Sequence, residues 1–359
     1  MSKKLWQPSQ IVKKNSNLFA FENYISKKLN IKFNRNYKKL LNWSIKNSPE
    51  FWSRFWDFSK IKGIKSNKNF RKSKTFYKNL FLPGSRLNFG ENLLSKNNNE
   101  KAATFISENG FREERSWRQL NLNTNKISKF LKKINIKKGD RVAAYMPNTI
   151  ETVEAFIATT SLGGIWSSCS PDFGSKGVIE RFSQINPKVL FITDQYFYNG
   201  KKIDILNRLP EILKLIPSIK SVVISNYPGK KLIKNKYKFK KIHLFKWNEL
   251  MQTNAEKIDF KRFDFETELA ILYSSGTTGK PKCICHRSGG VLIQHMKEHQ
   301  LHCNIKENDN VFYFTTCGWM MWNWLVSSLA TKASIVLFDG SPMFKSPDLL
   351  LKIAQREKI

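Results

Sequence analysis

The feature that most limits how this chain can fold is a sustained alternation of short apolar runs with helix-patterned stretches, beginning near residue 120. A helix is expected over 123–134, and Lys138-Gly139-Asp140 leads from it into an apolar strand over 141–146. Pro147-Asn148 opens a second helix, with Asn148 and Glu151 spaced as a capping box, and Gly163-Gly164 closes it. Further apolar strands are expected at 165–169, 189–193, 222–225 and 242–245, with helical stretches between them. Runs this short and this apolar suit strands buried on both faces, and strands separated by helices pair in parallel. The fold class is α/β, with mostly parallel sheets flanked by helices.

One stretch departs from this pattern in its chemistry. The apolar run Leu269-Ala270-Ile271-Leu272 leads into Tyr273-Ser274-Ser275-Gly276-Thr277-Thr278-Gly279-Lys280-Pro281-Lys282, and after Gly289-Gly290 the pattern reads as a helix over 291–302. The expected order is strand, loop, helix. Glycines let a backbone approach a ligand and aim several N–H groups at one point. Hydroxyls add donors, and lysines add compact positive charge suited to phosphate. The loop is a polyphosphate cradle by composition. After Gly276 the spacing of a Walker A loop is not met, and neither a G-x-S-x-G elbow nor a Rossmann G-x-G-x-x-G is present.

Past the loop, strands are expected at 311–316 and 335–338, and helices at 319–329 and from Pro347 to the end, with Ser346 as its cap. The segment 318–338 has the length of a membrane span, but Lys332, Thr331 and Ser327-Ser328 interrupt it, and a buried helix followed by a strand explains it better. Before the alternation, residues 1–95 are basic and aromatic-rich, an extension that packs on a larger body. Trp43, Phe51, Trp52, Phe55, Trp56 and Phe58 cluster around a helix start at Ser48-Pro49. Asn109-Gly110 marks a hairpin of type I′. The division expected is 1–95, a first α/β unit over 96–268, and an incomplete second unit over 269–359 that carries the phosphate loop.

The formal charge is +34, from 62 Lys and Arg against 28 Asp and Glu, and residues 1–80 alone hold 20 basic residues against 3 acidic ones. Runs at 27–39, 60–78 and 230–241 admit a nucleic-acid or anionic-membrane surface. They are interleaved with Asn rather than set on one helical face, and no nucleic-acid fold motif accompanies them, so a lysine-rich ordinary surface is the simpler reading. A basic nucleic-acid-binding module remains the alternative from another class. The five cysteines follow no disulfide-framework spacing, which suits reduced thiols in a cytoplasmic protein.

Two further groups carry chemistry. His295-Met296-Lys297-Glu298-His299 fits the zinc pattern H-x-x-E-H, with His302 one turn on. No supporting carboxylate is evident, and a helix that happens to bear three histidines is the plainer account, so no metal site is assigned. Gly318-Trp319-Met320-Met321-Trp322-Asn323 follows a strand, on the carboxyl-end rim where α/β sheets bind ligands. There Trp319, Met320 and Met321 suit the wall of a small-acid pocket, with ordinary core as the alternative for Met320, Met321 and Trp322.

The loop resembles the phosphate-loop signature of the acyl-adenylate-forming superfamily. Leu5-Trp6-Gln7-Pro8-Ser9, Pro83-Gly84-Ser85-Arg86-Leu87-Asn88-Phe89-Gly90-Glu91-Asn92, Ser167-Ser168-Cys169-Ser170-Pro171-Asp172-Phe173-Gly174, Phe314 to Asn323 and Leu337-Phe338-Asp339-Gly340-Ser341-Pro342 are similar to the acetoacetyl-CoA synthetase branch. The resemblance spans the whole chain but about the first half of the family's length, and it makes 1–95 an extension of the acetyl-CoA-synthetase type. It implies ligation in two steps through acetoacetyl-AMP, with ATP, Mg2+ and CoA taking part; another short-chain acid such as acetate is the alternative substrate. By position, Ser274, Ser275, Gly276, Thr277, Thr278, Gly279 and Lys282 would hold pyrophosphate, with Lys280 at a variable place. Trp319 would line the acyl pocket, and Asp172 falls where related synthetases meet CoA. The magnesium-binding glutamate, the ribose-binding aspartate, the hinge and the C-terminal domain with its adenylation lysine are expected beyond Ile359, on this chain or a separately encoded one.

Overall fold

The computed structural model describes residues 5–231, 238–274 and 279–359. Eleven strands build its two main sheets: β1 Lys101–Ser107, β2 Arg112–Ser116, β3 Arg141–Tyr145, β4 Ile165–Cys169, β5 Val189–Thr193, β6 Ser221–Ser225, β7 His243–Lys246, β8 Glu268–Ser274, β9 Lys282–Arg287, β10 Asn310–Phe312 and β11 Ser334–Asp339. The principal helices are α1 Asn17–Leu29, α2 Tyr37–Lys46, α3 Ser48–Phe58, α4 Trp117–Lys133, α5 Ile150–Ser161, α6 Ser288–Lys297, α7 Met320–Ser327 and α8 Leu349–Glu357.

The seven-stranded sheet runs β7-β6-β5-β3-β4-β8-β9 and is parallel except for the β8–β9 pair. The four-stranded sheet runs β10-β11-β1-β2 and is parallel except for the β1–β2 hairpin. The α/β architecture with mostly parallel sheets is therefore present. Strands β3 to β6 are apolar and buried along most or all of their length, which is why they were readable as short apolar runs.

Every residue of α5 is buried. A helix apolar all round belongs inside a structure, yet this one brings Glu151 and Glu154 with it. Arg115 of β2 meets both, at 3.2 and 3.6 Å, and Glu113 at 3.4 Å. By contrast α4 is amphipathic, burying Trp117, Leu120, Thr124, Ile127 and Leu131 at helical spacing behind a Ser116–Gln119 capping box.

Several expectations change. The hairpin turn spans Ser107–Gly110, and only Gly110 takes a positive φ, 86°, so it is a longer turn with glycine at its left-handed position, not type I′. Asn148 does not cap α5, whose N-cap is Thr149. Its buried side chain instead donates to the carbonyls of Thr315 and Phe338, both at 3.2 Å, tying the end of β3 to the other sheet. The last helix starts at Leu349 behind Asp348. The sheets also cross the boundary expected at residue 268: β8 pairs with β4, and β11 pairs with β1.

Residues before 95 pack on this body. Phe21, Phe51, Phe55 and Phe58 form an edge-to-face cluster, with Phe21 5.1–5.8 Å from the other three ring centres. Asn17 is held by Asn304 and Ile305, and Ser59 by Gln300. Part of the 230–241 lysine run lies outside the described residues. No helix among the described residues is long and apolar enough to cross a membrane.

Candidate active site

The phosphate-type loop does not run from strand to helix. It joins β8 to β9 as the tip of an antiparallel hairpin at the sheet edge, with Ser274 opposite Lys282 in register. Ser275, Gly276, Thr277 and Thr278 lie outside the described residues. Gly279 holds φ at 90° with open space where a Cβ would stand, so glycine serves there through its backbone freedom. Lys280 and Lys282 are exposed. Ser274, Gly279 and both lysines thus gather at one end of the hairpin.

The tip-ward end of the hairpin is braced by its neighbours in the seven-stranded sheet and the helix beside it. Ser167 Oγ donates to the Ile271 carbonyl at 2.9 Å and lies 3.0 Å from the Tyr273 hydroxyl, whose proton is held more tightly because the group is buried. Gln184 Nε2 donates to the Pro281 carbonyl at 2.9 Å. Arg181 stacks its guanidinium 4.3 Å over Phe173 and 5.8 Å from the Tyr273 ring centre. Sequence reading passed over this cation, although it sits on the short helix Ser175–Phe182 directly after the Asp172 loop.

A cavity of about 730 Å³ flanks the hairpin between β9, α6 and α7. Met320 and Met321 line it, with Trp324, Gln294, His295 and Cys285. Trp319 is the N-cap residue of α7, 59 % exposed, and stands outside that lining. Trp322 is core: fully buried, stacked 6.4 Å from Trp166, with Nε1 donating to Asn148 Oδ1 at 2.9 Å. The loop before α7 rests on the carboxyl-end rim of the seven-stranded sheet, where Ser168 Oγ donates to the Cys317 carbonyl at 2.6 Å and Cys317 Sγ to the Met146 carbonyl at 2.8 Å.

Asp172 lies on that rim, exposed, and its Oδ1 accepts from Tyr196 at 2.6 Å. Its loop is clamped by Arg208, which donates to the carbonyls of Pro171 and Phe173. Deeper, Asp339 at the end of β11 accepts from the Asn148 N–H and the Tyr227 hydroxyl, both at 3.1 Å. Burial pushes its pKa up to about 7.

His295 and His299 are both buried and share the Ser327 hydroxyl at 2.8 and 3.1 Å, while His302 is exposed. Among the described residues no group of three or more His, Cys, Asp or Glu is placed to hold a metal ion.

The family model for AMP-binding enzymes matches residues 94–359. The chain belongs to the AMP-binding enzyme family. Within it, the acetoacetyl-CoA synthetase of Gallus gallus is 38% identical over 99% of this chain and 54% of its own length. A malonamoyl-CoA synthetase of Penicillium aethiopicum is 34% identical over 96% of this chain and 48% of its own. The solved acetoacetyl-CoA synthetase of Streptomyces lividans superposes with a TM-score of 0.91 at 31% identity, covering 99% of this chain and 54% of that one. The chain thus spans about half the length of the AMP-binding enzymes it matches.

Proposed function

We propose that this chain is the phosphate-binding and acyl-binding portion of an acetoacetate–CoA ligase acting in the cytoplasm, where its five unpaired thiols would stay reduced. The observation that carries the reading is the β8–β9 hairpin: Ser274 and Lys282 face one another across its tip, and the cavity walled by Met320 and Met321 runs along its outer strand. ATP and a short acid therefore meet on one structural unit.

When a carboxylate attacks the α-phosphorus of ATP, negative charge grows on the departing pyrophosphate. A pre-set group of backbone N–H donors, hydroxyls and ammonium charges at that place stabilises the transition state more than the ground state. Ser274, Ser275, Gly276, Thr277, Thr278, Gly279 and Lys282 take this role, with Lys280 as a peripheral charge. Met320 and Met321 hold the acyl chain by apolar contact, and Trp319 closes on it from the rim. Asp172 and its clamped loop take part in CoA binding. Mg2+, when bound with ATP, supplies charge neutralisation of the phosphates.

The activity belongs to the full family length. Joined to the complementary half of a relative, the chain is expected to exchange pyrophosphate into ATP with acetoacetate or malonamate at rates well above those with acetate. Equal or faster exchange with acetate would move the reading to an acetate-type synthetase.

A further inference from the structure

The buried histidines of α6 and the turn after it hold no phosphate, yet one of them lines the cavity. Their protonation follows from hydrogen-bond accounting around Ser327. Its Oγ lies 2.7 Å from the Trp324 carbonyl. A carbonyl only accepts, so the single hydroxyl proton is committed there. That carbonyl is available because α7 tightens at its end: the Ser328 N–H turns to Leu325 and Val326. Ser327 Oγ is then left to accept from His295 Nδ1 at 2.8 Å, while His299, whose Nε2 lies 3.1 Å from that oxygen, also bonds the Trp324 carbonyl.

Burial keeps both imidazoles neutral, with pKa values pushed down to about 3 for His295 and about 4 for His299. A neutral imidazole has one N–H. His295 is thus protonated at Nδ1 and carries a bare lone pair at Nε2, on a buried residue that lines the cavity. Neighbouring groups share that sense. One of the two Gln294 amide N–H groups is engaged by Glu298 at 3.1 Å, and Glu298 pairs with Lys297 at 2.6 Å. Across the cavity, the Arg287 charge is taken by Glu266.

We propose that His295 is a specificity-determining residue whose Nε2 lone pair reads the distal end of the acid: it accepts a hydrogen bond from an amide N–H, tolerates a methyl, and turns away a second carboxylate. The inference rests on the cavity being the acyl pocket. Acetoacetate and malonamate differ in one group beyond the C3 carbonyl, methyl against NH2. Only the amide repays a buried acceptor. Malonate would set negative charge against a lone pair with no free cation facing it from Arg287 or Lys297.

The test uses the 359-residue chain. Long-range proton–nitrogen correlation spectra are expected to show His295 protonated at Nδ1 and bare at Nε2. Titrations followed on the Met320 and Met321 methyl signals should rank malonamate about five- to tenfold tighter than acetoacetate, the span of one added hydrogen bond, with malonate weakest. In Ser327→Ala the proton is free to move to Nε2, and the malonamate preference should vanish. A wild-type His295 carrying its proton on Nε2 overturns the proposal. So does binding that moves both methionines without ranking the three acids, which leaves the acyl-pocket reading standing. Failure of every acid to move those methyls overturns both.

Discussion

Gly340 holds φ at 116°, and a Cβ there would stand 2.6 Å from Glu108 Cβ. Glu108 cannot move aside, because its carboxylate accepts the N–H groups of Asn199, Gly200 and Ser341, each at 2.8 Å. Gly340→Ala is therefore expected to lower stability by at least about 1–3 kcal/mol, the range for a strained backbone position, read from the urea midpoint. Its neighbour Asp339 predicts a pH effect. Its folded pKa, about 7, lies above that of an unfolded aspartate, so its stabilising contribution is full below about pH 4 and lost as pH rises through about 7. Glu154, pushed up to about 8 by burial, acts in the same direction at higher pH. Unfolding midpoints should fall from about pH 5 to about pH 8, and fall less in Asp339→Asn. A steeper fall in the variant would contradict the assignment. Sequence reading placed Leu337 to Pro342 at a strand end but could not show Asp339 under Asn148 and Tyr227. Those partners come from residues more than a hundred positions away.

At the scale of elements, the hairpin shows what a sequence does and does not carry. β8 was legible because Leu269, Ala270 and Leu272 are buried, and the loop because its small hydroxyl residues have few other uses. β9 was not, because Lys282-Cys283-Ile284-Cys285-His286-Arg287 is an edge strand exposed along nearly its whole length, so burial left no apolar signature. The rim segment was half legible: its position after a strand was readable, but its division into exposed Trp319, cavity-lining Met320 and Met321 and buried Trp322 depends on the turn of α7. Trp322→Ala is expected to cost about 3–5 kcal/mol, as for large aromatic truncations in cores. Trp319→Ala should leave the urea midpoint nearly unchanged. A large loss for Trp319 would place it in the core instead.

For the molecule as a whole, α/β class and parallel sheets were readable from strand spacing, whereas the pairing of strands across the expected units was not. A linear division cannot show that β11 returns to pair with β1, which also carries β2, across more than two hundred residues. The exposed β9 edge, with Ile284 46 % exposed, offers unpaired backbone groups to another chain. The chain is expected to self-associate despite its +34 charge, and Ile284→Lys should lower the association seen by sedimentation. Monodisperse wild-type protein would count against this. In the proposed function the phosphate grip is the β8–β9 tip, on a chain that spans about half the length of the relatives it matches. The chain alone should give no detectable pyrophosphate exchange.

The central claim is that the β8–β9 tip is the pyrophosphate grip of an acid-activating site. Acetoacetate-dependent pyrophosphate exchange by the joined, full-length protein, with and without Lys282→Ala, tests it most directly. Loss of a charged donor at such a site should slow exchange by about 10²-fold while leaving the urea midpoint in place, since Lys282 is exposed. Exchange unchanged by the substitution would contradict the claim.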